Sequence, residues 1–117
     1  MKFIKFLALI IVVVFGIWYY SSVSRPSQHL IEMSDNKFIP ESLTIKKGDT
    51  VNFKNIGKAD HWPASDIHPT HEIYSDFDRH KPIIPGQSWS FVFSNEGEWN
   101  FHDHLFPGIN GVINVEP

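Results

Sequence analysis

The sequence predicts an all-β fold, a Greek-key β-sandwich, preceded by one N-terminal membrane helix or signal segment. Three observations carry this expectation. An apolar run, broken only by Lys2 and Lys5, fills the first twenty residues. Beyond it, apolar residues recur every second position in short stretches, the period of a strand with one face buried. Clusters of Gly, Pro, Asn and Asp separate those stretches, and neither a helical stripe nor an internal repeat interrupts them.

The N-terminal run, 1–20, reads as a membrane anchor or a signal peptide. Lys2 and Lys5 precede Phe6 to Ile17, and Trp18, Tyr19 and Tyr20 follow, as expected where a helix meets the far membrane interface. Ser22-Val23-Ser24 is a poor cleavage site. The anchor is the favoured reading, since the apolar stretch from Phe3 approaches the roughly 20 residues needed to span a bilayer. Either way the lysines stay inside and the rest is exported, giving a single-pass protein of the cell membrane with an extracytoplasmic domain, or a secreted one if the signal is removed. Residues 21–28, polar and containing Pro26, read as a linker.

The domain, 29–117, should begin with a strand at Leu30 to Met33, followed by Leu43 to Lys46, Val51 to Lys54, Trp89 to Phe93, Trp99 to Phe101 and Val112 to Val115. Turns are expected at Lys47-Gly48-Asp49, Asn55-Ile56-Gly57, Pro85-Gly86-Gln87 and Asn95-Glu96-Gly97. Lys58 to Ile84 shows little alternation, and an irregular stretch of that length in a small domain is usually functional. Trp62, Trp89 and Trp99 read as core, and Asp76-Phe77-Asp78 as loop-shaping residues.

A chain of 117 residues makes one small domain that buries somewhat over 60% of its unfolded surface. With no cysteine, it offers neither disulfides nor a thiolate metal ligand. All 13 acidic residues follow the membrane segment while Lys2 and Lys5 lie within it, so the exported part is more negative than the formal −3 of the whole chain. Nucleic acid is not an expected partner of such a surface.

The seven histidines carry the functional information. His102 and His104, two residues apart, would project from one face of a strand about 7 Å apart. Four more, His61, His68, His71 and His80, lie in the irregular stretch. His68 and His71, spaced i and i+3, can be aimed at one point by a single backbone turn. His29 and His80 are read as solvent-exposed.

The order of these pieces resembles the cupredoxins, the Greek-key family of plastocyanin and azurin. The resemblance covers the exported domain: Phe38-Ile39-Pro40, Leu43-Thr44-Ile45, Gly48 to Asn55, His61, Pro85 to Trp89, Gly97-Glu98-Trp99 and Pro107 to Val115. Anchored on Pro107-Gly108, it puts Asp103 at the family's cysteine, Phe106 at its second histidine and Ile109 at its methionine, keeping only the first histidine, His61. The protein should therefore not be blue. Phe101-His102-Asp103-His104 is similar instead to the His-x-His strand of multicopper oxidases, which faces away from the blue site. Their His-Trp-His partner is only half matched by His61-Trp62-Pro63, and oxidase activity is not implied for a single domain.

The expected site has His61, His102 and His104 as metal ligands with His68 or His71 as the fourth, and Asp66, Asp78 and Asp103 as oxygen donors or as acceptors for the outer ring N–H groups. The expected metal is copper, Cu(II) ahead of zinc, because imidazole sites follow the Irving–Williams order and the resemblance points the same way. The expected function is an exported, membrane-anchored copper-binding protein that sequesters, delivers or senses the ion, with a metallochaperone or redox partner of unspecified identity. The alternatives are an electron-transfer protein with a non-blue site and a metal-free β-sandwich that mediates protein contacts. No paired carboxylates or nucleophile–base pair favours an enzyme.

Overall fold

Strand pairing divides residues 28–116 into two four-stranded sheets. The structure, a computed structural model, describes residues 1–22 and 25–117; Val23 and Ser24, within the expected linker and cleavage site, lie outside the described residues. After helix α1 (Lys2–Ser22) come β1 (Gln28–Met33), β2 (Phe38–Ile39), β3 (Ser42–Lys46), β4 (Thr50–Asn55), β5 (Pro63–Ser65), β6 (Ser88–Val92), β7 (Gly97–Asp103) and β8 (Asn110–Glu116). One sheet has the order β2-β1-β4-β6, the other β3-β8-β7-β5. Both are mixed, because β1 runs parallel to β4 and β3 parallel to β8. The chain changes sheet at every connection from β2 to β7, so the sandwich is woven together rather than stacked from two hairpin ladders.

Every expected strand is present within a residue or two, and Gly48, Gly86 and Gly97 sit at positive φ in the expected turns. The alternating sequence sorts side chains as the pleat requires: along β4, Val51, Phe53 and Asn55 are buried while Asn52 and Lys54 are not. Two strands were not anticipated, β2 and β5. Each is too short to show a period, and β5 opens with a proline, which an outer strand of a sheet tolerates.

The irregular stretch is not loose. Phe77 is fully buried, with its ring 5.6 Å from Phe53, 5.0 Å from Phe93 and 5.4 Å from Phe101. Tyr74 stacks on Trp99 with centroids 4.7 Å apart. Burying a ring such as Phe77 contributes about 1.5–3 kcal/mol, so the segment is fastened to the core. Phe77 therefore does more than shape a loop. Asn55, also fully buried, donates to the carbonyls of Ala59 and Ile83 at 2.8 Å each and accepts from Gly57 N, fixing the path into His61.

Helix α1 is long enough, at 1.5 Å per residue, to cross the ~30 Å hydrocarbon core of a bilayer. Its apolar side chains from Phe3 to Tyr19 are exposed, and by length and composition the helix suits a membrane span or a signal sequence.

Candidate metal centre

Strand β7 builds the site because its two faces do different work. Phe101 points into the core against Phe53 and Phe77. His102, the next residue, points to the other face, where the segment after β5 crosses over it. Asp103 turns back inward, and His104 joins His102 on the outer side. Pairing of β5 with β7 sets Ala64 opposite His102, so the chain leaves β5 beside the histidine strand. It then makes one turn, His71 N donating to Ile67 O at 2.6 Å, which brings His68 and His71 over the same point. His71 adopts φ 55°, a left-handed conformation to which histidine is better suited than most residues.

One nitrogen from each of His68, His71, His102 and His104 lies within 4.8 Å of all the others. The facing atoms are His68 Nδ1 and His102 Nε2, 3.2 Å apart, and His104 Nδ1 and His71 Nε2, also 3.2 Å apart. Two carboxylates set the outer sides. His102 Nδ1 donates to Asp66 Oδ1 at 2.7 Å, and His71 Nδ1 to Asp78 Oδ2 at 2.7 Å. A ring whose Nδ1 proton is so engaged presents a bare Nε2 lone pair inward, the form that ligates metal. Among the described residues no carboxylate bonds His68 or His104, and in the hydrogen-bonded arrangement their Nδ1 protons point at the lone pairs of His102 and His71. Those protons must move to Nε2 or leave before the same atoms can ligate.

Electrostatics favour a neutral ring at His104. Burial, followed by the adjacent His71 and His68 rings, pushes the pKa of His104 below its ordinary value. For Asp78, burial works to raise the pKa, but hydrogen bonds from His71, Trp62 and the His80 amide outweigh it and hold the carboxyl below the usual range. Asp78 is thus a fixed anion beside His71. Trp62 ties the pieces together: its indole N–H donates to Asp78 Oδ1 at 2.6 Å, its carbonyl accepts from His104 N at 2.7 Å, and its ring lies 4.4 Å from that of His104. The expectation that Trp62 is core is corrected here, since it is half-buried at the edge of the histidine cluster.

The expectation that His61 shares a centre with His102 and His104 is also corrected. His61 is buried with both ring nitrogens committed to carboxylates, Nδ1 at 2.5 Å from Asp103 Oδ2 and Nε2 at 3.0 Å from Asp35 Oδ1. It lies on the core side of β7, opposite the cluster. Asp103 accordingly serves none of the four clustered rings. Its other oxygen accepts from the amides of Trp62 and Leu105, bracketing the turn that carries His104. Asp35 went unnoticed in the sequence, because nothing local marks a residue 26 positions away as the partner of His61. Amides of Ala59 and Lys58, then His61, hold its pKa down at about 2. His80 is exposed as expected, whereas His29 is not free in solvent but half-buried against Asp49 at 2.9 Å.

A family model described as "Cupredoxin-like domain" matches residues 7–115. The chain belongs to the cupredoxin-like family. A search of curated protein sequences finds no match. Among solved structures, the chain is similar to a novel purple cupredoxin from Nitrosopumilus maritimus, at 22% identity and TM-score 0.66 over 75% of this chain and 99% of that one. It is similar to a reduced amicyanin variant, at 20% identity and TM-score 0.66 over 82% and 88%. A copper-containing nitrite reductase from Thermus scotoductus SA-01 matches at 21% identity and TM-score 0.64 over 81% of this chain but only 24% of its own length. At these identities the likeness establishes the fold.

In this cupredoxin-like domain no cysteine exists for a blue centre. The positions that the family resemblance assigns to that centre are filled by protein: His61 bonds Asp103 directly, and the ring of Phe106 lies 5.6 Å from His61. The four clustered histidines form a separate donor set on the other side of the strand. Their chemistry fits a borderline divalent ion. Bonds of about 2.0–2.1 Å in a tetrahedral arrangement would hold neighbouring nitrogens about 3.3 Å apart, close to the two 3.2 Å spacings.

Proposed function

We propose that this is an exported, membrane-anchored cupredoxin-like protein that binds Cu(II) through His68, His71, His102 and His104, holding the ion for sequestration, delivery or sensing at the extracytoplasmic surface. The observation that carries this reading is the convergence of four imidazole nitrogens within 4.8 Å, two of them aligned by carboxylates. All-nitrogen donors favour Cu(II) over the other divalent first-row ions, and the neighbours named for copper supply the fold-level analogy.

The four ligands divide the work. His102 and His71, held by Asp66 and Asp78, present Nε2 without rearrangement and would capture the ion first. His68 and His104 would complete the set through Nδ1 after losing or shifting a proton, which makes binding weaker in acid. A bound copper ion would supply a positive centre and a redox couple, but without a thiolate the tuned electron transfer of blue sites is not supported. Helix α1 would hold the domain at the membrane.

Equilibrium dialysis of the detergent-solubilised full chain against Cu(II), followed by elemental analysis, tests the reading. One copper per chain is expected, falling to near zero in the His71→Ala/His102→Ala variant. Retention of no copper by the parent protein would overturn it.

A further inference from the structure

Resting on that copper reading, we propose that His68 is the exchange ligand, the one that an incoming nitrogen donor replaces when the ion is handed to an acceptor. The four rings are unequally held. His71 and His102 are buried and locked by carboxylates. His104 is half-buried, with its backbone amide bonded to Trp62 O and its ring against the Trp62 indole. His68 is exposed, and among the described residues its only hydrogen bond is the one from Nδ1 to His102 Nε2, the contact a metal would replace. Among the described residues its other ring contacts are with the clustered imidazoles themselves, 5.0 Å from His104, 5.1 Å from His102 and 6.0 Å from His71. Pro69 and Thr70, which follow it, and Ile67, which precedes it, are exposed as well, so the approach to this corner of the cluster is open.

An ion bound here is released by ligand exchange more readily than by simultaneous loss of four bonds. The acceptor's neutral nitrogen bonds to copper through its lone pair as the His68 Nδ1–Cu bond breaks, and the ring leaves as neutral imidazole with its proton on Nε2. Copper remains Cu(II) throughout, so no electron donor is required, and the acceptor is one that offers imidazole or amine nitrogen rather than thiolate. Loss of His68 alone leaves His71, His102 and His104, a three-nitrogen cradle with one open position that a small nitrogen base can fill.

Stopped-flow transfer of Cu(II) from the full chain in detergent to excess L-histidine tests the assignment. Transfer is expected to be first order in L-histidine for the parent protein. His68→Ala should still bind one copper but release it at least about tenfold faster, no less than the effect of losing a ligand's outer hydrogen-bond partner, and added imidazole should slow release and restore the parent's electron paramagnetic resonance spectrum. His102→Ala should instead lose stoichiometric binding. A rate independent of L-histidine, or a His68→Ala protein indistinguishable from His102→Ala, would overturn the proposal while leaving copper binding by the parent intact. Absence of copper from the parent would instead remove the underlying reading. Should His68→Ala not fold, the dependence on L-histidine in the parent protein still decides the matter.

Discussion

Asp103 Oδ2 lies 2.5 Å from Nδ1 of His61, and both side chains are sealed from solvent. The pair occupies the core side of β7 while His102 and, just past the strand, His104 occupy the other side, so one short stretch carries a closed hydrogen-bonded pair on one face and a donor set on the other. Leaving one partner of a buried hydrogen bond unsatisfied typically costs about 1–3 kcal/mol. Asp103→Asn should therefore lower the urea midpoint markedly, and also weaken metal binding, because Asp103 brackets the turn bearing His104. Denaturant unfolding of the metal-free protein checks the first effect and copper competition the second.

The carboxylates on the cluster act differently. Asp66 is 39% exposed, so Asp66→Ala should barely change stability while lowering copper affinity about 10- to 100-fold, the usual cost of losing a ligand's outer hydrogen bond. Asp78→Asn should lower affinity to a similar degree and cost some stability too, since Asp78 also accepts from Trp62. Competition against a chelator of known affinity separates affinity from fold.

Phe77→Ala links core to site. The fully buried ring closes the segment that carries His68, His71 and Asp78, and its removal should cost about 3–5 kcal/mol. Metal should recover part of that loss, since a ligand that binds only the folded state stabilises it by mass action. Thermal melts with and without one equivalent of Cu(II) test both expectations.

Acid should destabilise the metal-free domain in two steps. In the unfolded chain a histidine takes its proton near pH 6.5, whereas burial and then neighbouring imidazoles keep the folded His104 from doing so until lower pH. Below about pH 6.5 the unfolded state therefore holds more protons, and stability falls with pH until the folded ring also titrates. Asp35, lowered from 3.8 to about 2, contributes stability that is present above pH 3.8 and lost as the pH falls toward 2. His104→Ala should shrink the first step and Asp35→Asn the second, read from unfolding midpoints across the pH series.

The strands were legible because alternation and turn residues repeat along the chain, and His68, His71, His102 and His104 were legible because their spacings, i+3 on a turn and i+2 on a strand, are local. What escaped is non-local or too short to show a period. The family pattern places His61 with the strand histidines. Only the fold reveals that Asp103 turns inward to meet it and that Asp35 closes the other side. β5 carried no readable alternation in three residues, yet its pairing with β7 delivers two of the four rings.

Electron paramagnetic resonance of the full chain loaded with one equivalent of Cu(II), compared with the His71→Ala/His102→Ala variant, bears most directly on the central claim. The account predicts a large copper hyperfine splitting with nitrogen superhyperfine structure, weak visible absorption without an intense band near 600 nm (about where thiolate copper absorbs), and loss of that spectrum in the variant. An unchanged spectrum in the variant, or a parent spectrum identical to that of free Cu(II) in buffer, would contradict it.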